Sequence, residues 1–323
     1  MPTYVLGRIL KALPLLLGLS LLVFSLIHAA PGGPLTVYLT NPNVRPEDIE
    51  RLEKALGLDR PLYEQYVSWL VAFVKGDWGY SYVDGRSAFE RIVERVPATV
   101  ELMGSAFVLA LVLAVGWGGL AAVRRGQKTD RVASVVSFAG ISMPTFWLGL
   151  VLQLIFAVEL RWFPSAGRFG PTGGGLQDRL LHLALPVATL AIFYAASWMR
   201  YVRASLIETL AGGFIRAGRS RGLPNRRLLF SHAFPNALIP LTTVWAMDLA
   251  LLASGAVVTE TVFAWPGMGA LLVDSVYRRD YSVLMGILMS GSVLIVFCNI
   301  AADVAYGWLD PRIRLGGRES RES

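Results

Sequence analysis

The sequence predicts an all-α polytopic membrane protein with six transmembrane helices and a small extracytoplasmic helical insertion, and three observations predict it. Hydrophobic residues make up 54% of the 323 and charged residues 16%, with a mean hydropathy of +0.52, too apolar a balance for a water-soluble globular chain. Apolar runs near the roughly 20 residues that cross a hydrocarbon core recur at Leu10–Ala30, Thr99–Val123, Val132–Val158, Leu180–Val202, Ala237–Val262 and Val283–Leu309. These runs are rich in Leu, Val and Ala and show no dyad alternation, the pattern of helices rather than barrel strands.

The expected organisation is an N-terminal transmembrane helix at 1–30, a helical insertion at 31–98, a core membrane domain at 99–314 with a cytoplasmic loop at 204–238, and a cytoplasmic tail at 315–323. The first run follows Arg8 and Lys11 and so imitates a signal peptide. It is longer than an h-region, however, and Pro31 stands where cleavage after Ala30 would fall, so a retained helix is expected. Pro31-Gly32-Gly33-Pro34 ends it.

Within the insertion, Pro46, Glu47 and Asp48 open an acidic-first helix to about Ala55. A second helix, Tyr63 to Lys75, carries Tyr66, Trp69, Leu70 and Phe73 on one face, and packs on the membrane helices because the insertion is too small for a core of its own. In the third run Pro144 removes a helix hydrogen bond and kinks the span, while Ser142 and Gly149 permit close contact. The connection Glu159–Arg179, with Gly173-Gly174-Gly175, is a flexible outer link. Trp265, Pro266, Gly267 and Gly269 suit a broken or re-entrant segment, whose backbone must be buried in protein or line water.

Net charge is +7, and the basic residues cluster before the first run, between the second and third, between the fourth and fifth, and after the last. With six spans these regions share one side, which places both termini in the cytoplasm and gives the charge a topological cause rather than a nucleic-acid partner. The single cysteine, Cys298, has no internal disulfide partner and is a packing residue of the last run.

The most informative stretch is Ala211–Pro240, which carries Arg216, Arg219, Arg221, Arg226 and Arg227 and no acidic residue. Gly212 and Gly213 break the preceding helix, Phe214–Arg221 forms two turns, and Gly222-Leu223-Pro224 supplies a stop. A second helix starts near Asn225 and runs to about Ala233, with Pro235 and Pro240 punctuating the return to the bilayer. On charge alone this is a basic loop that fixes topology and touches anionic lipid.

The stretch resembles the EAA loop of ABC-importer permeases. Gly222 is the loop's fixed glycine, Phe234-Pro235 takes the place of its Leu-Pro, and Arg216-Ala217-Gly218 stands where Glu-Ala-Ala is usual, in wording similar to the peptide-permease branch. Further phrases resemble the B-type membrane subunit of peptide importers: Leu56-Gly57-Leu58-Asp59-Arg60-Pro61-Leu62, Gly76-Asp77-Trp78-Gly79, Arg95-Val96-Pro97-Ala98-Thr99, Ser142 to Gly149, Glu260 to Gly269, and Asp310-Pro311-Arg312. The resemblance runs from about Leu10 to Arg314.

The resemblance implies a type I ABC-importer permease fold in a bacterial inner membrane. It implies a coupling helix that docks on a separate ATPase through Phe214, Ile215, Arg216, Ala217, Arg219, Gly222, Leu223 and Pro235. It also makes Glu260, Phe263 and Trp265 part of the wall of a translocation path. The implied partners are a homologous second permease, two ATPase subunits that hold ATP and Mg, and an extracytoplasmic solute-binding protein. Peptide is the implied cargo, within a family that also imports nickel complexes, glutathione and some sugars.

Chemistry of the chain's own is not expected. No glycine is followed directly by lysine, so a standard Walker A loop is absent and no cofactor is bound by this chain. His28, His182 and His232 are far apart and lack metal-ligand spacing, and no nucleophile, base and orienting acid cluster. Asp248 and Asp303 fall inside apolar runs, where a carboxylate is a functional candidate. Asp248, with Thr243 and Met247 nearby, either faces a polar path and meets a substrate's amino terminus or is a hydrogen-bonded packing residue. An ion-coupled carrier would call for inverted repeats and paired half-helices, and the chain has no convincing internal repeat.

Overall fold

The computed structural model describes residues 2–29, 35, 45–55, 57–170, 173–253 and 256–309. The expected breaker Pro31–Pro34, the terminal Asp310-Pro311-Arg312, the 315–323 tail and the side chains of Thr243 and Asp303 lie outside the described residues. Among those described, regular structure is helical, apart from one isolated bridge between Tyr80 and Ser87.

In chain order the helices are α1 Pro2–Ala29, α2 Pro46–Ala55, α3 Leu62–Val74, α4 Ala88–Val123 and α5 Lys128–Ser142. Next come α6 Thr145–Leu152, continued by π turns over Gln153–Glu159, α7 Leu176–Leu210 and α8 Gly213–Ser220. The short α9 Asn225–Arg227 winds through π turns over Leu228–Ala233 into α10 Phe234–Ala253, and α11 Val257–Val262, α12 Met268–Tyr277 and α13 Tyr281–Leu309 follow.

Four helical stretches, Leu10–Ala29, Ala88–Val123, Leu176–Leu210 and Tyr281–Ile300, are long and apolar enough to cross a membrane. The α5–α6 pair makes a fifth when taken as one span, but it is bent by 104°. The single span expected over Val132–Val158 is therefore two helices. Met143 is extended at φ −86° and ψ 126°, and Pro144, which has no N–H, sits at φ −60° just before α6. The run Ala237–Val262 is likewise carried by α10 and α11, with Ser254 and Gly255 between them outside the described residues.

At Pro235 the outcome differs from expectation in the other direction. No break occurs, because π turns precede it: the carbonyl that a proline ring displaces, four residues back, belongs to Ser231 inside the widened turns. Pro240 also lies within α10, so the helix begun at Asn225 does not stop at Ala233.

By internal contacts the chain divides into two units, Met1–Thr99 with Pro266–Val296 and Val100–Trp265 with Phe297–Ser323. In the first, the Tyr66, Trp69 and Phe73 rings follow one another along α3 at centroid distances of 6.1 and 5.4 Å. Phe24 of α1 meets Tyr66 edge-on at 5.4 Å, and Ser20 Oγ shares a 2.9 Å hydrogen bond with the Tyr66 hydroxyl. The insertion helix is thus seated on α1 by its aromatic face. The 79–88 loop is strapped to α13 by Asp280, 1% exposed, whose carboxylate accepts from Ser81 Oγ, from Tyr82 N at 3.2 Å and from Arg91 Nη1 at 3.1 Å.

In the second unit α7 is central and packs against α5, α6 and α10. Small residues allow the approach. A Cβ on Gly118 of α4 would lie 2.7 Å from the Met199 carbonyl, and one on Gly140 of α5 would lie 2.7 Å from Ala196 Cβ. Ser137 Oγ donates to the Ala196 carbonyl between the same helices. Asp130, 7% exposed, opens α5 and accepts from Arg203 Nη2 at 2.9 Å and from Gly126 N at 2.8 Å.

G118A should destabilise the detergent-solubilised protein by about 1–3 kcal/mol through overpacking against backbone, seen as a lower unfolding temperature. G116A, where a Cβ meets nothing within 4 Å, should leave that temperature unchanged or raise it.

Candidate coupling surface

The surface is built on α8, which Gly212 introduces in extended conformation at ψ 149°. Two turns of helix put Ile215 and Gly218 on one side. Ile215 is fully buried in a cluster with Ala122, Leu206, Leu228, Ala233 and Ala237. Gly218 is buried too, and a Cβ there would sit 2.5 Å from Leu228 Cδ2, so the α8 backbone rests directly on the π turns. Gly222 then reverses the chain at φ +77°, a conformation suited to glycine, with its N–H on the Arg219 carbonyl at 3.0 Å. Leu223 follows half-buried, and its N–H meets the Gly218 carbonyl at 3.1 Å.

The opposite side is open. Phe214, Arg216, Ala217 and Arg219 are exposed, as are Arg221, Arg226, Arg227 and Pro235. Among the described residues none of the five arginines meets a carboxylate. A shallow groove of about 390 Å³ lies alongside, lined among others by Leu210, Arg219, Arg226, Leu228 and Phe230. The surface therefore offers a rigidly mounted helix with one apolar ring, a field of unpaired positive charge and a groove.

The residues assigned to a path are arranged differently. Phe263 and Trp265 are buried at 2% and 0%, and Glu260, also buried, lies one turn before them. Ala264 between them has φ +46°, and the turn is held by Trp265 N on the Glu260 carbonyl at 2.8 Å and Gly167 N on the Phe263 carbonyl at 2.9 Å. Asp248 on α10 accepts from Trp198 Nε1 at 2.6 Å, the hydrogen-bonded packing arrangement, and Met247 beside it is exposed. The side chain of Thr243 lies outside the described residues.

A cluster that sequence reasoning missed joins Glu101 of α4 to Arg168 and Arg179. Arg168 donates to Glu101 from Nε at 3.0 Å and Nη2 at 2.6 Å, and Arg179 donates from Nη2 at 2.6 Å and from Nε. The available signal was an acid two residues inside an apolar run, with arginines on either side of the glycine-rich link.

Among the described residues, regular structure that is helical and four or five apolar spans mark a polytopic membrane component, and its basic loop is exposed. A family model described as "Binding-protein-dependent transport system inner membrane component" matches residues 114–315, and its N-terminal companion matches residues 1–103. The chain is 38% identical to the oligopeptide transport system permease protein AppB of Bacillus subtilis over 97% of this chain and 99% of that one. It is 35% identical to the di/tripeptide transport system permease protein DppB of Pseudomonas aeruginosa, again over 97% and 99%. A chain of the inward-facing MetNI methionine ABC transporter superposes with a TM-score of 0.56 at 21% identity, covering 69% of this chain and 97% of that one. The chain belongs to the binding-protein-dependent transport system inner membrane component family, and is a multi-pass permease of the ABC-importer fold.

I215A should open a cavity costing about 2–5 kcal/mol in the cluster under α8 and speed trypsin cleavage in the 216–227 segment. F214A, on the exposed side, should leave the cleavage rate near that of the parent chain.

Proposed function

We propose that this chain forms half of the translocation path of an ABC importer for di- and oligopeptides. Six spans carry it across the inner membrane, with both termini cytoplasmic and the 31–98 insertion outside, an orientation supported by the basic residues of the inter-span loops. It pairs with a homologous second permease, two ATPase subunits that bind ATP and Mg, and an extracytoplasmic solute-binding protein. The peptide reading is supported by the two relatives named for oligopeptide and di/tripeptide transport, which match along nearly the whole chain.

The observation that carries the coupling role is the two-sidedness of α8, with Ile215 locked into the transmembrane packing while Phe214, Arg216 and Arg219 face outward. A groove on the ATPase would take the outward side, with Gly222 and Leu223 holding the turn and Pro235 at the surface beyond it. ATP binding closes the ATPase pair and displaces α8. The displacement passes through the Ile215 cluster to α4, α7, the Leu228–Ala233 π turns and α10, which carry its other members. Nucleotide thereby shifts a population between two states through contacts that differ between them. Within the path, Glu260, Phe263 and Trp265 form a wall, and the exposed Met247 lies on the α10 side.

R219E should cut peptide uptake in proteoliposomes on the order of tenfold while the bound ATPases keep hydrolysing, as loss of a coupling energy of 1–3 kcal/mol predicts. Co-purification with ATPase chains should weaken in parallel. Normal uptake and normal ligand-stimulated hydrolysis in both R219E and G222V would refute the coupling role.

A further inference from the structure

The Glu101–Arg168–Arg179 cluster is larger than an ion pair needs to be. One carboxylate faces two guanidiniums, so the cluster carries an excess positive charge. Each guanidinium has five N–H donors and directs two of them to Glu101, which leaves three on each for another acceptor. Asp178, next to Arg179 in sequence, is engaged elsewhere, accepting from Gly170 N at 2.7 Å and lying 3.3 Å from His182 Nδ1.

The setting suits a charged ligand. Glu101 and Arg168 side chains are 15% and 18% exposed, so their attraction is little screened, while Arg179 at 38% remains reachable from solvent. Phe169 lies beneath both arginines, 5.4 and 5.8 Å from their guanidinium carbons, and the Trp265 ring lies 6.0 Å from Arg168. Attraction between these ring faces and the guanidiniums supports the two arginines beside Glu101. Through Gly167 N on the Phe263 carbonyl, the Arg168 segment is tied to the turn that contains Trp265.

We propose that Arg168 and Arg179 form a carboxylate-exchange site, in which a carboxylate from outside the chain enters on their free N–H groups and then takes the donors that Glu101 holds. The exchange moves no proton and breaks no covalent bond; one bidentate acceptor replaces another. The inference rests on the importer role proposed above, which brings two carboxylate sources to this end of the chain: the C-terminal carboxylate of a peptide and an acidic side chain of the solute-binding protein.

The test is thermal unfolding of the purified importer complex. E101A leaves two guanidiniums without their counter-charge and should lower the unfolding temperature. Sodium formate should restore it by binding the folded state, whereas formamide, or sodium chloride at equal ionic strength, should not. Adding R179Q to E101A should abolish the formate shift. If E101A does not assemble, E101Q keeps the side-chain volume and the same contrast is read on it. Alanyl-alanine, but not its C-terminal amide, reproducing the formate shift would assign the carboxylate to cargo; unloaded binding protein reproducing it would assign it to the docking partner. Formate acting no better than formamide would overturn the site, and formate acting while neither peptide nor binding protein does would overturn its external ligand. Failure of the importer reading is separable, since it would appear as no ATPase chain co-purifying, and the formate contrast would then be read on the chain alone.

Discussion

The constraint on which everything else depends is that backbone N–H and C=O groups inside a hydrocarbon layer must find partners within the protein. It makes the spans helical, and it also governs where they break. The turn at Phe263–Trp265 departs from helix, with Ala264 at φ +46°, and its backbone groups find partners. Trp265 N bonds to the Glu260 carbonyl, Gly167 N reaches the Phe263 carbonyl, and Gln153 Nε2 reaches the Val262 carbonyl at 3.4 Å. Gln153 opens the π turns after α6, so one irregular stretch supplies the donor that another requires.

Packing within the second unit follows from a different limit, the size of side chains at helix contacts. Gly118 and Gly140 let α4 and α5 approach α7 at distances a single added methyl group would forbid, and at Gly149 of α6 a Cβ would lie a tight 3.2 Å from the Phe263 ring. Close approach brings side-chain hydroxyls onto backbone carbonyls, as with Ser137 on Ala196 and Ser205 on Ala237 at 2.7 Å. Without a large hydrophobic gain between helices in lipid, such contacts and dispersion carry the association.

Charge divides the arginines into two kinds. Arg91, Arg168, Arg179 and Arg203 each meet a carboxylate and hold chain segments together. The five arginines of the Ala211–Pro240 stretch meet none among the described residues and point away from the packing. The helix that carries the first of them is mounted on a fully buried isoleucine, so its packing rests on Ile215 and not on these charges.

Much of this was legible in the sequence for a plain reason. Apolar runs set where helices lie, glycine and proline set the turn after α8, and the order of phrases along the chain set the family, because each of these depends only on neighbours in sequence. The Tyr66, Trp69 and Phe73 face of α3 belongs to the same class, since helical spacing alone aligns it. What tertiary structure decided depends on residues far apart. The 104° bend at Met143-Pro144 exceeds anything a proline dictates alone, and the continuity of α10 through Pro235 rests on π turns that no periodicity announces. The partner of Asp248 is Trp198, 50 residues away, and that of Glu101 is Arg168, 67 residues away. Local physics determined the elements and the glycine turn after α8; the meeting of distant charges, which only the closed packing brings within hydrogen-bond reach, was settled by the fold.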